Sequence, residues 1–453
     1  MIRALNSAEF GPPRRKSDAD RSKSAGVFPI TAPLRGTASK RKPVTAKIAT
    51  ETQKSAKSSA EIPKTRYAQI PVARPRGLVY APGMDTADLE IFLVATPGLE
   101  QPLLAETIRN GFAGAKQVPG GVVLRGGWPE VWRTNLMLRG ANKVLVRLGS
   151  FPAVHLAQLD KRARKFPWGD VLRPGVPVRV EATSRKSRIY HAGAARQRIE
   201  RAISETLGAP VAQDAPVRVL VRIERDFCTL SVDSSGDPLH KRGHKAAVAK
   251  APMRETMAAM FLHECGFDGA EPVLDPMCGS GTFVIEAAEI AFGLPPGRSR
   301  DFAFQQLATF DAAEWTRMRQ PQDAAETGLR FYGSDRNAGA VETAMANAQR
   351  AGVDTVTRFR QAAVSDIKPP AGPAGLVIVN PPYGARIGDE KRLRSLYGSL
   401  GKVLMARFSG WRVGIVTSSQ SLARATRLPL IAPGPVVDHG GTKIRLYRTD
   451  PLP

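Results

Sequence analysis

The chain has 453 residues, more than one ordinary domain holds, so two or three folded units are expected. Its 66 Lys and Arg against 41 Asp and Glu leave a formal charge of +25, which calls for a polyanionic partner, nucleic acid before an acidic membrane face. No run nears the roughly eighteen apolar residues of a membrane helix, and Cys228, Cys265 and Cys278 form no C-x-x-C pair, which excludes a disulfide framework and a zinc ribbon.

Residues 1–87 read as a disordered basic extension. Within 1–76, seventeen Lys and Arg meet five Asp and Glu, and the apolar residues are too isolated to offset the entropy of ordering. A solvated tail fits that composition, and so does an arm that grips phosphates without sequence choice. A basic, acid-poor start also suits a mitochondrial transit peptide, but Pro12, Pro13, Pro29 and Pro33 interrupt any amphipathic helix there. A soluble, cytoplasmic protein is the expectation.

From residue 89 the pattern changes. A strand at 89–95, a helix at 99–109, two short strands over 117–125, a helix at 130–138 and a strand at 143–148 give the order β-α-β-β-α-β. That is the ferredoxin-like order, assigned to 88–150. A second α/β unit, 151–235, holds a basic helix at 156–165, a strand at 176–181, a helix at 192–207 and a hairpin of 217–223 with 228–232. Lys161, Arg162, Arg164, Lys165, Arg185, Lys186 and Arg188 cluster here with few acids among them. A solvated helix face carries both signs, so an RNA-binding surface is the favoured reading.

Residues 236–250 form a polar, basic connector whose Lys241 and Arg242 extend the RNA-binding set. His240 and His244 have no Cys or acidic partner nearby in sequence, so no metal site is expected and RNA contact or solvation is. In 251–453, strands at 273–275, 330–334, 356–359, 376–379 and 413–417 alternate with helices at 282–292, 337–351, 390–407 and 419–426. Apolar strands with crossover helices imply a doubly wound, Rossmann-like sheet, and 443–447 adds a late strand, read as antiparallel.

Three motifs in this last unit carry chemistry. The run Asp275-Pro276-Met277-Cys278-Gly279-Ser280-Gly281-Thr282 lies where a strand ends and a helix begins, the place where open α/β sheets bind ligands. Its glycines permit a tight turn and a close cofactor. A dinucleotide fingerprint would need a glycine where Val284 stands, and a pyrophosphate would be repelled by Asp275. S-adenosyl-L-methionine has no phosphate and carries an ammonium, so the charge favours it over NAD. Asp335, at the end of the next strand, suits a ribose diol, although a strand-end Asp is often only a helix cap.

The third motif is Asn380-Pro381-Pro382-Tyr383. The lone pair of an amine on a nucleobase is delocalised into the ring, which makes it a poor nucleophile. Two acceptors aimed at its hydrogens, the Asn380 side-chain oxygen and the Pro381 carbonyl, favour a pyramidal nitrogen that can attack. The two prolines remove backbone donors and stiffen the corner. Tyr383 offers an aromatic face to a base taken out of its stack.

With these motifs in view, residues 89–449 resemble the bacterial large-subunit ribosomal RNA guanine-N2 methyltransferases, which place a THUMP domain before the methyltransferase domain. The resemblance rests on His240–Gly243, Ala251–Thr256, the Asp275–Thr282 run, Glu286-Ala287-Ala288, and Asn380–Gly384 with Arg386. It implies that 151–235 is the RNA-binding THUMP domain. It also implies that Asp275, Gly279, Gly281, Asp335 and, more weakly, Thr256 hold the cofactor, while Asn380, Pro381 and Tyr383 hold the target base. Relatives often carry an Asp near position 363 for the adenine amine, where this chain has Ala363, with Asp366 three residues on. Some relatives fuse a second methyltransferase domain at the C-terminus; this chain stops at Pro453, and one activity is expected.

The implied reaction is methyl transfer to a guanosine N2 in RNA, ribosomal before transfer RNA. The same Asn-Pro-Pro-Tyr corner serves adenine-N6 enzymes on DNA and enzymes on protein glutamine, which lack a unit like 89–235. A non-catalytic RNA-binding or assembly factor is the alternative of another class; intact motifs speak against it.

Overall fold

The computed structural model describes residues 88–245, 253–320, 328–384 and 390–453. The extension 1–87, the end of the connector and Arg386 lie outside the described residues.

The first sheet grows from strict alternation. In β1 (Leu89–Val94), Leu89, Ile91 and Leu93 face the core while their neighbours stay half-buried. The chain continues through α1 (Glu100–Arg109), β2 (Lys116–Val118), β3 (Gly121–Gly126), α2 (Trp128–Met137) and β4 (Lys143–Pro152). It goes on through α3 (Leu156–Arg164), β5 (Val178–Arg185), α4 (Ala192–Leu207), β6 (Val217–Glu224) and β7 (Phe227–Asp233).

All seven strands form one sheet, ordered β2-β3-β1-β4-β7-β6-β5. The expected boundary at residue 150 falls inside β4, which is four residues longer than the apolar run suggested. Its first half pairs with β1 and its length with β7, with a bulge between Arg147 and Gly149. One strand therefore ties the two expected units into a single sheet. The bulge re-aims the strand between its two partners.

The second body contains α5 (Glu255–Glu264), β8 (Val273–Asp275), α6 (Thr282–Ala291), α7 (Ala312–Met318), β9 (Phe331–Asp335), α8 (Ala338–Ala351) and β10 (Thr357–Gln361). After these come β11 (Leu376–Val379), α9 (Glu390–Arg407), β12 (Arg412–Thr417), α10 (Gln420–Ala425), β13 (Val437–His439) and β14 (Thr442–Arg448). The order is β10-β9-β8-β11-β12-β14-β13, parallel from β10 to β12, with β14 antiparallel as expected. The order reverses between β8 and β11, so their carboxyl ends open a crevice there. Helix α5 was not anticipated. Every residue from Glu255 to Leu262 is buried, so no polar face marks the segment as a surface helix.

A buried ion network joins the bodies. Arg139, just after α2, places Nη1 2.9 Å from Glu286 Oε2 and 3.0 Å from Glu289 Oε2 on α6. Arg242 Nε lies 3.1 Å from Glu286 Oε1, and Arg298 Nη2 lies 2.6 Å from Glu289 Oε1. Burial alone would raise the Glu289 carboxyl; the surrounding cations, Arg139 first, hold it below its ordinary value. These contacts correct two expectations. Arg242, expected among the RNA-binding residues, is 1% exposed with its guanidinium on Glu286, and His244, also buried, lies 3.7 Å from Glu289 instead of in solvent. Two carboxylates sealed in α6 need cations; Arg139, Arg298 and, from the connector, Arg242 supply them.

Candidate active site

A cleft of about 1870 Å³ opens at the carboxyl edge of the second sheet. Pro276, Asp335 and Asn380–Tyr383 line it, so the three motifs meet although they span more than a hundred residues of chain. They meet because β8, β9 and β11 are neighbours that end at one edge.

The Asp275–Thr282 turn is built as its glycines require. Gly279 and Gly281 take φ of +52° and +84°, a region unfavourable to residues with a Cβ. A Cβ on Gly281 would press to 3.0 Å from the Ala344 methyl, so Gly281 serves close helix packing. A Cβ on Gly279 would meet nothing within 4 Å, so the turn leaves open space there. Asp275 lies behind the cleft wall, 2% exposed, with Oδ1 accepting the Met277 N–H at 3.0 Å. Burial, reinforced by the charge of Asp335, pushes its carboxyl up to about 8. Asp335 accepts the Gly279 N–H at 3.1 Å on one oxygen and the Asn337 N–H at 2.9 Å on the other. Neither acid has an ion-pair partner among the described residues. Asp335, half-buried, is the carboxylate that faces the cleft, while Asp275 behind it holds its proton more readily than a free carboxyl.

The other members of this run do structural work. Thr282 accepts from Lys245 Nζ at 2.9 Å, Ser280 is buried with its carbonyl accepting from Asn347, and the Cys278 thiol is buried. Thr256 is not part of the cleft wall. It is 1% exposed and donates its hydroxyl to Asn142 Oδ1 at 3.1 Å, which corrects its expected cofactor contact. Ala363 lines the cleft, whereas Asp366 is exposed and does not.

At the β11 end, the Asn380 side-chain oxygen is buried and has no hydrogen-bond partner. An acceptor left this way costs about 1–3 kcal/mol. The corner around it is braced: the Tyr397 hydroxyl lies 3.4 Å from the Pro382 carbonyl and 3.0 Å from Thr417 Oγ1. The Tyr383 hydroxyl meets His439 Nδ1, at the end of β13, at 3.1 Å, which anchors the tip of the half-buried ring.

Sequence reasoning missed His439, because β13 reaches the cleft only through the β13–β14 hairpin. It also missed a ring of cleft cations, Arg254, Arg300, Arg336 and Arg392, each from a different part of the chain. Arg300 in addition binds four carbonyls between Ser235 and Lys241, which pins the connector to the cleft rim. Lys241 is exposed on that rim and lies 3.2 Å from Asp237.

The expected RNA-binding residues of the first body divide. Lys161, Lys165, Arg185, Lys186 and Arg188 are exposed, whereas Arg164 is shared between Asp160 and Glu205 and Arg162 reaches back to the Pro152 carbonyl. The 185–188 loop packs on the β6–β7 turn. Arg188 N–H donates to Asp226 Oδ1 at 2.7 Å and Arg225 N–H to the Arg185 carbonyl at 3.3 Å. Tyr190 beside them is 84% exposed, an aromatic among cations that the sequence reading passed over. No group of residues suited to a metal ion occurs among the described residues.

Three family models match the chain. They are the RlmL ferredoxin-like domain over residues 90–145, the THUMP domain over 153–233 and the RMKL-like methyltransferase domain over 242–432. The chain is 35% identical over 359 residues to "Ribosomal RNA large subunit methyltransferase K/L" of Syntrophotalea carbinolica, across 75% of this chain and 50% of that protein. It is 30% identical over 368 residues to "Putative RNA methyltransferase slr0064" of Synechocystis sp., across 79% of this chain and 95% of that protein. The fold matches the crystal structure of "SMU.472, a putative methyltransferase complexed with SAH" at a TM-score of 0.73 and 28% identity, covering 81% of this chain and 99% of that one. The chain thus spans about half the length of the curated K/L relatives it matches and nearly all of the Synechocystis protein.

Proposed function

The chain belongs to the RMKL-like methyltransferase family, with RlmL ferredoxin-like and THUMP domains ahead of the methyltransferase domain, and from that premise we propose that it methylates the exocyclic N2 amine of a guanosine in large-subunit ribosomal RNA. The methyl donor is S-adenosyl-L-methionine, which supplies an activated methyl group on a sulfonium. The reaction forms a nitrogen–carbon bond, breaks a sulfur–carbon bond, and releases one proton from the nitrogen to water.

The observation that carries this reading is the buried, unpartnered Asn380 oxygen in the cleft that Asp335 shares. It accepts one hydrogen of the amine while the Pro381 carbonyl accepts the other, turning the nitrogen lone pair toward the methyl donor. Tyr383, held by His439, stacks on the extruded base. Asp275 and Asp335 complement the donor's ammonium and ribose, and the open side of Gly279 leaves room for it. The relative solved with SAH supports this choice of donor. The first body presents the exposed cations Lys161, Lys165, Arg185, Lys186 and Arg188 to the RNA backbone. Three free, buried cysteines support a cytoplasmic setting.

Mass mapping of methylated guanosines in RNA from cells with and without the gene tests the proposal. Loss of one N2-methylguanosine from large-subunit ribosomal RNA is expected. An unchanged ribosomal map with a missing transfer RNA mark overturns the substrate, and no missing mark in either overturns the activity.

A further inference from the structure

The face of α9 turned away from the cleft carries a second cavity, about 670 Å³, between α9 and α10. Arg394 and Lys402 on α9, Arg424 on α10 and Arg427 just beyond it line this groove, and no Asp or Glu does. Lys402, Arg424 and Arg427 are exposed, with no carboxylate partner among the described residues; Arg394 has Glu390 at 3.7 Å. Four cations against one acid repel one another unless an outside anion enters.

The groove has a fixed floor. A Cβ on Gly401 would lie 1.8 Å from the Thr426 carbonyl oxygen, so the two helices touch through backbone. Arg427 takes a φ of +58°, a conformation costly for a residue with a side chain. It is held there by its N–H to the Arg424 carbonyl at 3.1 Å, while Leu428 N–H binds Thr426 Oγ1 at 3.3 Å.

Position supplies the occupant. Arg392 and Leu396 line the catalytic cleft, and Arg394, Gly398 and Lys402 line the groove, so α9 is the wall between them. From Arg394 to Lys402 the helix rises about 12 Å, more than a single phosphate spans. We propose that this groove holds the phosphodiester backbone of the RNA strand next to the target nucleotide, which crosses α9 as it leaves the cleft. The proposal rests on the reading of the cleft as an RNA methyltransferase site. It adds a contact surface on the methyltransferase domain itself, apart from the first body.

The test compares the full chain with its Lys402→Glu/Arg424→Glu/Arg427→Glu variant. The probe is an in vitro transcript of large-subunit ribosomal RNA, with affinity read across a series of KCl concentrations. Three lost phosphate contacts should lower the slope of log K against log salt by about 2, with donor binding and Tm unchanged. An unchanged slope in a folded variant overturns the groove. Should the triple variant fail to fold, Arg424→Gln and Arg427→Gln singly should each lower the slope by about 0.7, and no change in either overturns the proposal. Wild-type chain that methylates RNA while the variant keeps its slope sinks the groove alone, whereas wild-type chain that binds no RNA sinks the parent reading too. A poly-Glu peptide whose binding is lost in the variant while the RNA slope holds assigns the groove to an acidic protein and also overturns the proposal.

Discussion

Asn380→Ala tests the amine-binding corner. The Asn380 oxygen is buried without a partner, so removing it breaks no bond inside the protein and deletes an acceptor whose burial costs about 1–3 kcal/mol. Tm should therefore hold or rise slightly. The rate should fall, because the amine loses one of its two acceptors. A preorganised polar group that meets developing charge contributes about 2.7–4 kcal/mol, or about 10²–10³ in kcat. Donor affinity should not change, since the proposed donor contacts are Asp275 and Asp335, on β8 and β9, and Asn380 follows β11. Asn380→Asp keeps an acceptor oxygen and should recover part of the rate. The assays are single-turnover transfer of labelled methyl into an RNA transcript, calorimetry with the donor, and a thermal melt. A rate within about tenfold of wild type, or a rate loss matched by a fall in Tm or donor affinity, would refute the two-acceptor mechanism.

Other outcomes follow from the same geometry. Burial raises the Asp275 carboxyl to about 8, so its proton is held more tightly in the fold than in the unfolded chain. Stability is full below about pH 4 and is lost as pH rises toward about 8. The Tm gain of Asp275→Asn over wild type should thus grow between about pH 5 and about pH 8; a constant difference counts against an acid buried at a cost. Glu286→Ala strands Arg242 in the interior and leaves Arg139 to Glu289 alone and should cost about 3–5 kcal/mol by chemical denaturation, and a neutral result would mean that water reaches the junction. Tyr383→Ala should lose about 1–3 kcal/mol of base stacking, read as KM for RNA. Tyr383→Phe, which gives up only the His439 contact, should lose about 0.5–1.5 kcal/mol; equal losses would remove the ring from the mechanism. Deleting residues 1–80 should flatten the salt dependence of RNA binding and leave Tm alone, and an unaltered slope would make the basic extension a bystander.

The elements that were legible carry their signal locally. β11 is a four-residue apolar run that stops at Asn380-Pro381-Pro382, and Gly279 and Gly281 mark the turn after β8 because only glycine takes those φ values cheaply. The alternation in β1 and β6 set which side chains face the core. What escaped reading is non-local. Helix α5 is buried along most of its length and shows no amphipathic period. Arg242 was read as an RNA contact, and His244 as an RNA contact or a solvated residue, because Glu286 and Glu289 sit more than forty residues away in the chain. The same holds for His439, whose partner Tyr383 lies 56 residues earlier.

Residue types and short spacings were therefore enough to place the chain among methyltransferases that carry ferredoxin-like and THUMP domains, and to single out the motifs on which the proposed chemistry rests. The tertiary structure decided which side chains share the cleft, which cations are spent on buried carboxylates, and that β4 fuses two expected units into one sheet. The physical reason is range. Backbone conformation and alternation are set within a few residues, whereas burial, ion pairing and the depth of a cleft depend on segments that only folding brings together.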